Sequence, residues 1–107
     1  MGLNIKKIMN KQDIFQTIID NKETIKNFGV NEIGLFGSYI RNEQTSKSDI
    51  DLLVDYNKQK ISLKNYMGFC FLMDELFANI KVEVVTKNGL SKYIGPYILK
   101  EVEYVKI

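Results

Sequence analysis

The stretch GLFGSYIRNEQTSKSDID, residues 34–51, sets a Gly-Ser pair (Gly37, Ser38) ahead of two aspartates, Asp49 and Asp51, that stand one residue apart. Carboxylates spaced in this way at the head of an apolar run, LLV, point to the same face of a strand, because strand side chains alternate. A third acid, Glu83, lies in the later run KVEVVT, where Val82 and Val84 claim the apolar face and turn Glu83 to the other. If the two runs lie side by side, three carboxylates converge on one sheet face. Like charges at that range repel strongly once partly desolvated. Magnesium resolves such a conflict, since it prefers hard oxygen ligands and sits between a few carboxylates and substrate phosphates. Gly37 lets backbone approach a ligand closely, and its N–H, with the Ser38 hydroxyl, can hold phosphate oxygens. These residue types therefore point to a nucleoside triphosphate bridged by metal. Two ions would stabilise both the attacking and the leaving oxygen of an in-line displacement.

Composition narrows the chemistry further. The 107 residues contain no histidine and one cysteine, Cys70. His-based triads, His-ligated metals, zinc clusters and intrachain disulfides are thereby excluded. A reducing, cytoplasmic setting fits one cysteine better than secretion. The start, MGLNIKKIMN, lacks the apolar core of a signal peptide, and Lys6 stands where a myristoylation motif wants Ser or Thr. No run is apolar for long enough to span a bilayer. A net charge of +2 is too small to imply a nucleic-acid or membrane partner by bulk electrostatics. The length fits one domain, residues 1–107, with a thin core.

The elements that must position the chemistry follow from periodicity. Ile14, Phe15, Ile18, Ile19, Ile25 and Phe28 recur at helical spacing and predict an amphipathic helix over residues 11–28, with Asn10 as N-cap and Gly29 as stop. Residues 32–36 read as a strand running into Gly37-Ser38. Residues 39–48 read as a polar turn, with at most one helical turn at their start. Residues 49–56 form a second strand, separating Ile50, Leu52 and Val54 from Asp49, Asp51, Leu53 and Asp55. A helix over residues 62–79, capped by Ser62, precedes a third strand at residues 81–86 and a last short helix near residues 96–103, opened by Pro96. The order predicts an α/β fold: a small mixed sheet of about three to four strands with helices packed on it.

The spacing G-S-x10-D-x-D, with a third acid on a later strand, resembles the DNA polymerase β-like nucleotidyltransferase superfamily. The context GLFGSYIRNE…SDIDLLVDY…KVEVVT…YIGPYILKEVEYV looks like its minimal nucleotidyltransferase branch, whose members act as antitoxins paired with HEPN-domain toxins. The resemblance implies a nucleotidyltransferase fold and transfer of AMP from ATP to a tyrosine hydroxyl of the toxin, blocking its RNase activity. It implies that Gly37 and Ser38 hold phosphate and that Asp49 and Asp51 bind magnesium. Glu83 would be the third, catalytic and metal-binding acid, and Arg41 matches an arginine common after the Gly-Ser pair. Two positions depart from the pattern. Glu83 replaces a typical aspartate, and Asn42 stands where glycine is frequent; asparagine tolerates left-handed angles, so the turn is expected to survive.

Plainer readings stand beside these. Ser38 could be a helix cap, Arg41 a surface arginine, Asp55 a solvated strand end and Cys70 a core residue. The helix at residues 62–79 is apolar around much of its circumference, through Leu63, Tyr66, Met67, Phe69, Cys70, Phe71, Leu72, Met73, Leu76 and Phe77. One stripe must cover the sheet; the remainder suggests a face buried against a partner or a second copy. A non-catalytic module that neutralises its partner by occlusion is the alternative function. Transfer to a small molecule is weaker, because 107 residues leave no room for an acceptor domain.

Overall fold

The computed structural model describes residues 9–107. The readings drawn from the first eight residues lie outside the described residues. The chain runs α1 (Lys11–Asp20), α2 (Lys22–Asn27), β1 (Val30–Phe36), α3 (Ser38–Arg41), β2 (Ile50–Tyr56), α4 (Leu63–Leu76), β3 (Val82–Thr86), a 3-10 turn at Lys87–Gly89, α5 (Gly95–Glu101) and β4 (Glu103–Val105). The four strands form one mixed sheet in the order β3-β2-β1-β4. β1 pairs antiparallel with both β2 and β4, and β2 pairs parallel with β3. The expected α/β fold, a small mixed sheet with helices packed on it, is the one observed.

Local signals act as expected at several ends. Asn10 and Asp13 form a reciprocal capping box on α1, with the Asp13 N–H donating to Asn10 Oδ1 at 2.9 Å and the Asn10 N–H to Asp13 Oδ2 at 3.0 Å. Ser62 Oγ accepts from the Asn65 N–H at 3.1 Å and starts α4. Gly29, at φ +93°, turns the chain out of α2. The sheet's core face is dry: Ile33, Leu35, Ile50, Leu52 and Val54 are fully buried against Ile14 and Ile18 of α1, Ile25 of α2, and Phe69 and Met73 of α4.

Two expectations need correcting. The single helix over residues 11–28 is two helices, broken at Asn21, where the backbone leaves the helical basin (φ −114°, ψ 16°) and the side-chain amide donates to the Thr17 carbonyl at 2.8 Å. Asparagine competes in this way for backbone groups. The last helix ends at Glu101 rather than near residue 103, and the following residues form β4. That strand lies along β1, with Ile33 opposite Val105 and Leu35 opposite Glu103. Three residues are too few to show an alternation, and their pairing partner is some seventy residues upstream, so only the folded chain reveals the strand. Gly34 makes the docking possible. A methyl there would meet Val102 Cγ2 at 2.5 Å and Tyr104 Cδ1 at 3.1 Å.

Among the described residues no helix is long and apolar enough to cross a membrane.

Candidate active site

Sheet register carries the acids to one place. Asp51 on β2 stands opposite Phe36 on β1 and opposite Glu83 on β3. Directly paired residues share a face, so Phe36, Asp51 and Glu83 lie in one row across the sheet, on the side away from the core. Val82 and Val84 pack toward the core, as their alternation with Glu83 requires. Asp49 immediately precedes β2 and is half-buried. Leu53, one row further on the same side as Asp51, is fully buried rather than solvated. The acids therefore occupy one end of a partly covered face, and Asp55 stands farther along it, opposite Glu32.

The turn after β1 abuts these acids. Gly37 sits at φ +79°, ψ −154°, a conformation that side chains disfavour, and a Cβ at this position would collide with Asp51 Oδ2. Both constraints call for glycine, and together they set the Gly37 backbone directly against the Asp51 carboxylate. Gly37, not Ser38, takes the N-cap position of α3, which leaves the Ser38 hydroxyl out of a capping role. Asn42 ends α3 in the left-handed region (φ 58°, ψ 37°), so asparagine does replace the glycine frequent at this turn.

The electrostatics of Asp51 record the crowding. Burial, then the charge of Glu83, a hydrogen bond shared with Glu83 and the charge of Asp49 push its carboxyl up to about 6, while Arg41 pulls weakly the other way. Asp49 also acts on Tyr39, whose phenol is raised by burial first and by the Asp49 charge second. Among the described residues no three acidic side chains are preassembled as a cation cage. Glu83 Oε1 instead lies 3.4 Å from Lys81 Nζ, in an exposed pair. The donor set nonetheless suits magnesium, because Asp49, Asp51 and Glu83 offer hard carboxylate oxygens at one end of the face.

One residue escaped the sequence reading. Glu101, at the end of α5, receives the Gly37 N–H on Oε2 at 2.8 Å and Arg41 Nη1 on Oε1 at 2.6 Å. Arg41 also donates from Nε to Glu43 at 2.8 Å. Hydrogen bonds to Glu43 first, and then to Glu101, hold the guanidinium protonated more firmly than usual. Beside this clasp opens a cleft of about 510 Å³ lined by Phe36, Ile94, Tyr97 and Ile98. Nothing in the local sequence marks Glu101, an ordinary acid on a short helix. Its role follows from β4, which carries the end of α5 back to β1.

A glycine turn pressed against paired acids at the end of the two central strands of a small mixed sheet fits a nucleotidyltransferase. The chain belongs to the nucleotidyltransferase domain family, which it matches over residues 18–105. It is 38% identical over 89 residues, 78% of this chain and 83% of the relative, to the protein adenylyltransferase MntA of Thermococcus cleftensis. Two solved structures share the fold. One, described as a minimal nucleotidyltransferase, superposes with a TM-score of 0.75 at 22% identity, covering 89% of this chain and 95% of that one. The other, a toxin-antitoxin with AMP-PNP, superposes with a TM-score of 0.61 at 20% identity, covering 90% and 72%. The protein is thus a nucleotidyltransferase with protein adenylyltransferases among its relatives.

Proposed function

We propose that this nucleotidyltransferase is an antitoxin that transfers AMP from ATP to a tyrosine hydroxyl of a HEPN-domain toxin in the cytoplasm and so silences the toxin's RNase activity. The observation that carries the reading is the apposition of Gly37 and Asp51, which supports assigning phosphate to the turn and metal to the acids. The kinship with a protein adenylyltransferase supports protein as the acceptor. The fold shared with a toxin-antitoxin bound to AMP-PNP supports an adenine nucleotide and a toxin partner.

Roles follow from position. Asp49, Asp51 and Glu83 would hold magnesium, as two ions, and the metal would supply charge stabilisation at the triphosphate. The Gly37 N–H, the Ser38 hydroxyl and Arg41 would orient phosphate oxygens beside Asp51. Glu83, exposed in the row of Asp51, would face the acceptor hydroxyl and take its proton. The phenolic oxygen forms a bond to the α-phosphorus, the bond to the bridging oxygen breaks, and pyrophosphate leaves with its electron pair. Nucleic acid is not contacted directly.

The test uses the chain, its partner toxin, labelled ATP and magnesium. Label should move to a toxin tyrosine, and Asp49→Asn with Asp51→Asn should abolish the transfer. Label transfer that survives the double substitution refutes the assignment.

An occlusion-only antitoxin is favoured by one specific observation. Leu63, Met67 and Phe71, spaced by four on α4, form an exposed apolar stripe. A patch of this kind suits a stable protein–protein contact, with the toxin or with a second copy, whether or not transfer occurs. The double aspartate variant separates the two readings: full neutralisation of the toxin without label would establish occlusion.

A further inference from the structure

Of the three donors assigned above to a nucleotide phosphate, two, the Gly37 N–H and the Arg41 guanidinium, already face a carboxylate. Glu101 fills them with one oxygen each, at 2.8 and 2.6 Å, and its side chain is only 23% exposed. A carboxylate bridging a backbone N–H and a guanidinium makes the contacts that a phosphate would make there, with charge-assisted geometry. We infer that Glu101 is an internal competitor for the phosphate cradle, and that nucleotide binds only when its side chain swings away.

The fold favours a side-chain gate over a moving helix. Glu101 is the last residue of α5, and the chain then enters β4, which is hydrogen-bonded to β1 through Ile33, Gly34 and Leu35. The Val102 N–H also donates to the Ile98 carbonyl at 2.9 Å. The backbone on either side is thereby anchored, while the glutamate side chain has three torsions by which to leave. The adjoining cleft, open beside Tyr97 and Ile98, gives it somewhere to go.

The gate has a measurable signature. A ligand whose competent state is only partly populated binds more weakly by that fraction, so removing the competitor tightens binding without a new contact. This proposal rests on the reading of Gly37 and Arg41 as phosphate donors, and the experiment keeps the two apart. Calorimetry on the full chain with magnesium and AMP-PNP, and in parallel with magnesium and inorganic tripolyphosphate, compares the wild type with Glu101→Gln and Glu101→Ala. Both variants should bind both probes about five- to tenfold more tightly. With toxin present, Glu101→Gln should lower KM for the nucleotide and leave kcat unchanged.

Wild-type binding that is equalled or weakened in both variants overturns the gate and leaves the nucleotide site standing. No binding by any of the three chains at millimolar probe overturns the phosphate reading and the gate with it. A measurement on the wild type covers variants that fail to fold. The carbon-13 carboxyl resonance of Glu101 should move on tripolyphosphate binding to the position of a solvated glutamate, and a resonance that stays fixed while the Gly37 amide responds refutes the competition.

Discussion

The two faces of the sheet obey opposite rules. On one, Ile50 and Leu52 of β2 are fully buried against Phe69 and Met73 of α4. On the other, one residue away along the same strand, Asp51 stands beside Glu83 and is pushed up to about 6. Alternation lets a single strand do both, because neighbouring side chains never share a face. This small domain gains its stability on the first face and gives some up on the second. The helices bury one face, and carboxylate repulsion is tolerated on the other, where we propose that cation and phosphate bind.

Breaking the dry face should cost most. Phe69→Ala removes a fully buried ring at the centre of the core and is expected to lower unfolding free energy by about 3–5 kcal/mol, read by urea titration. Breaking the charged face should do the reverse in kind, removing activity and sparing the fold. Asp49→Asn with Asp51→Asn is expected to abolish detectable AMP transfer, a fall of at least about 10³-fold, equivalent to about 4 kcal/mol or more of transition-state stabilisation, with no loss in thermal midpoint.

A pH series sharpens the contrast. The folded chain binds the Asp51 proton more tightly than the unfolded chain does, so stability should fall as pH rises from about 4 to about 6 and stay lower above that. Asp51→Asn removes this slope. It should stabilise the metal-free protein by about 1 kcal/mol at pH 7.5, a figure discounted because the group is half-exposed, and should change nothing near pH 4. Melting curves of both proteins at the two pH values decide it. A variant less stable than wild type at pH 7.5 would mean that Asp51 supports the fold. The smallest stability effect belongs to the α4 stripe. Leu63→Ser with Phe71→Ser should leave stability within about 0.5 kcal/mol, while weakening capture of the toxin by roughly tenfold or more. Unchanged affinity would free that face from any part in the complex.

Much of this contrast was legible in the residues. The Gly-Ser turn, the aspartates two apart and the valines flanking Glu83 are patterns of period two, and period two is a local property. The caps at Asn10 and Ser62 and the left-handed Asn42 are local as well, since their partners lie within three or four residues. The break at Asn21 rests on a local side-chain bond to the Thr17 carbonyl, and the apolar periodicity running through it hides it. Leu53 illustrates a different limit. Alternation assigns it to the face of the acids, but whether that face is open or covered depends on what packs there.

What the sequence determined alone was therefore chemistry by type and spacing: which acids share a face, where a turn needs glycine, and which stripes must be buried. These follow from backbone geometry over a few residues. Only the tertiary structure decided that the chain's end returns to β1 as β4, because that pairing joins segments some seventy residues apart and no local pattern encodes it. With that return came Glu101. A carboxylate on a short helix became the occupant of the Gly37–Arg41 cradle because long-range pairing, and nothing in its neighbourhood, carried it there.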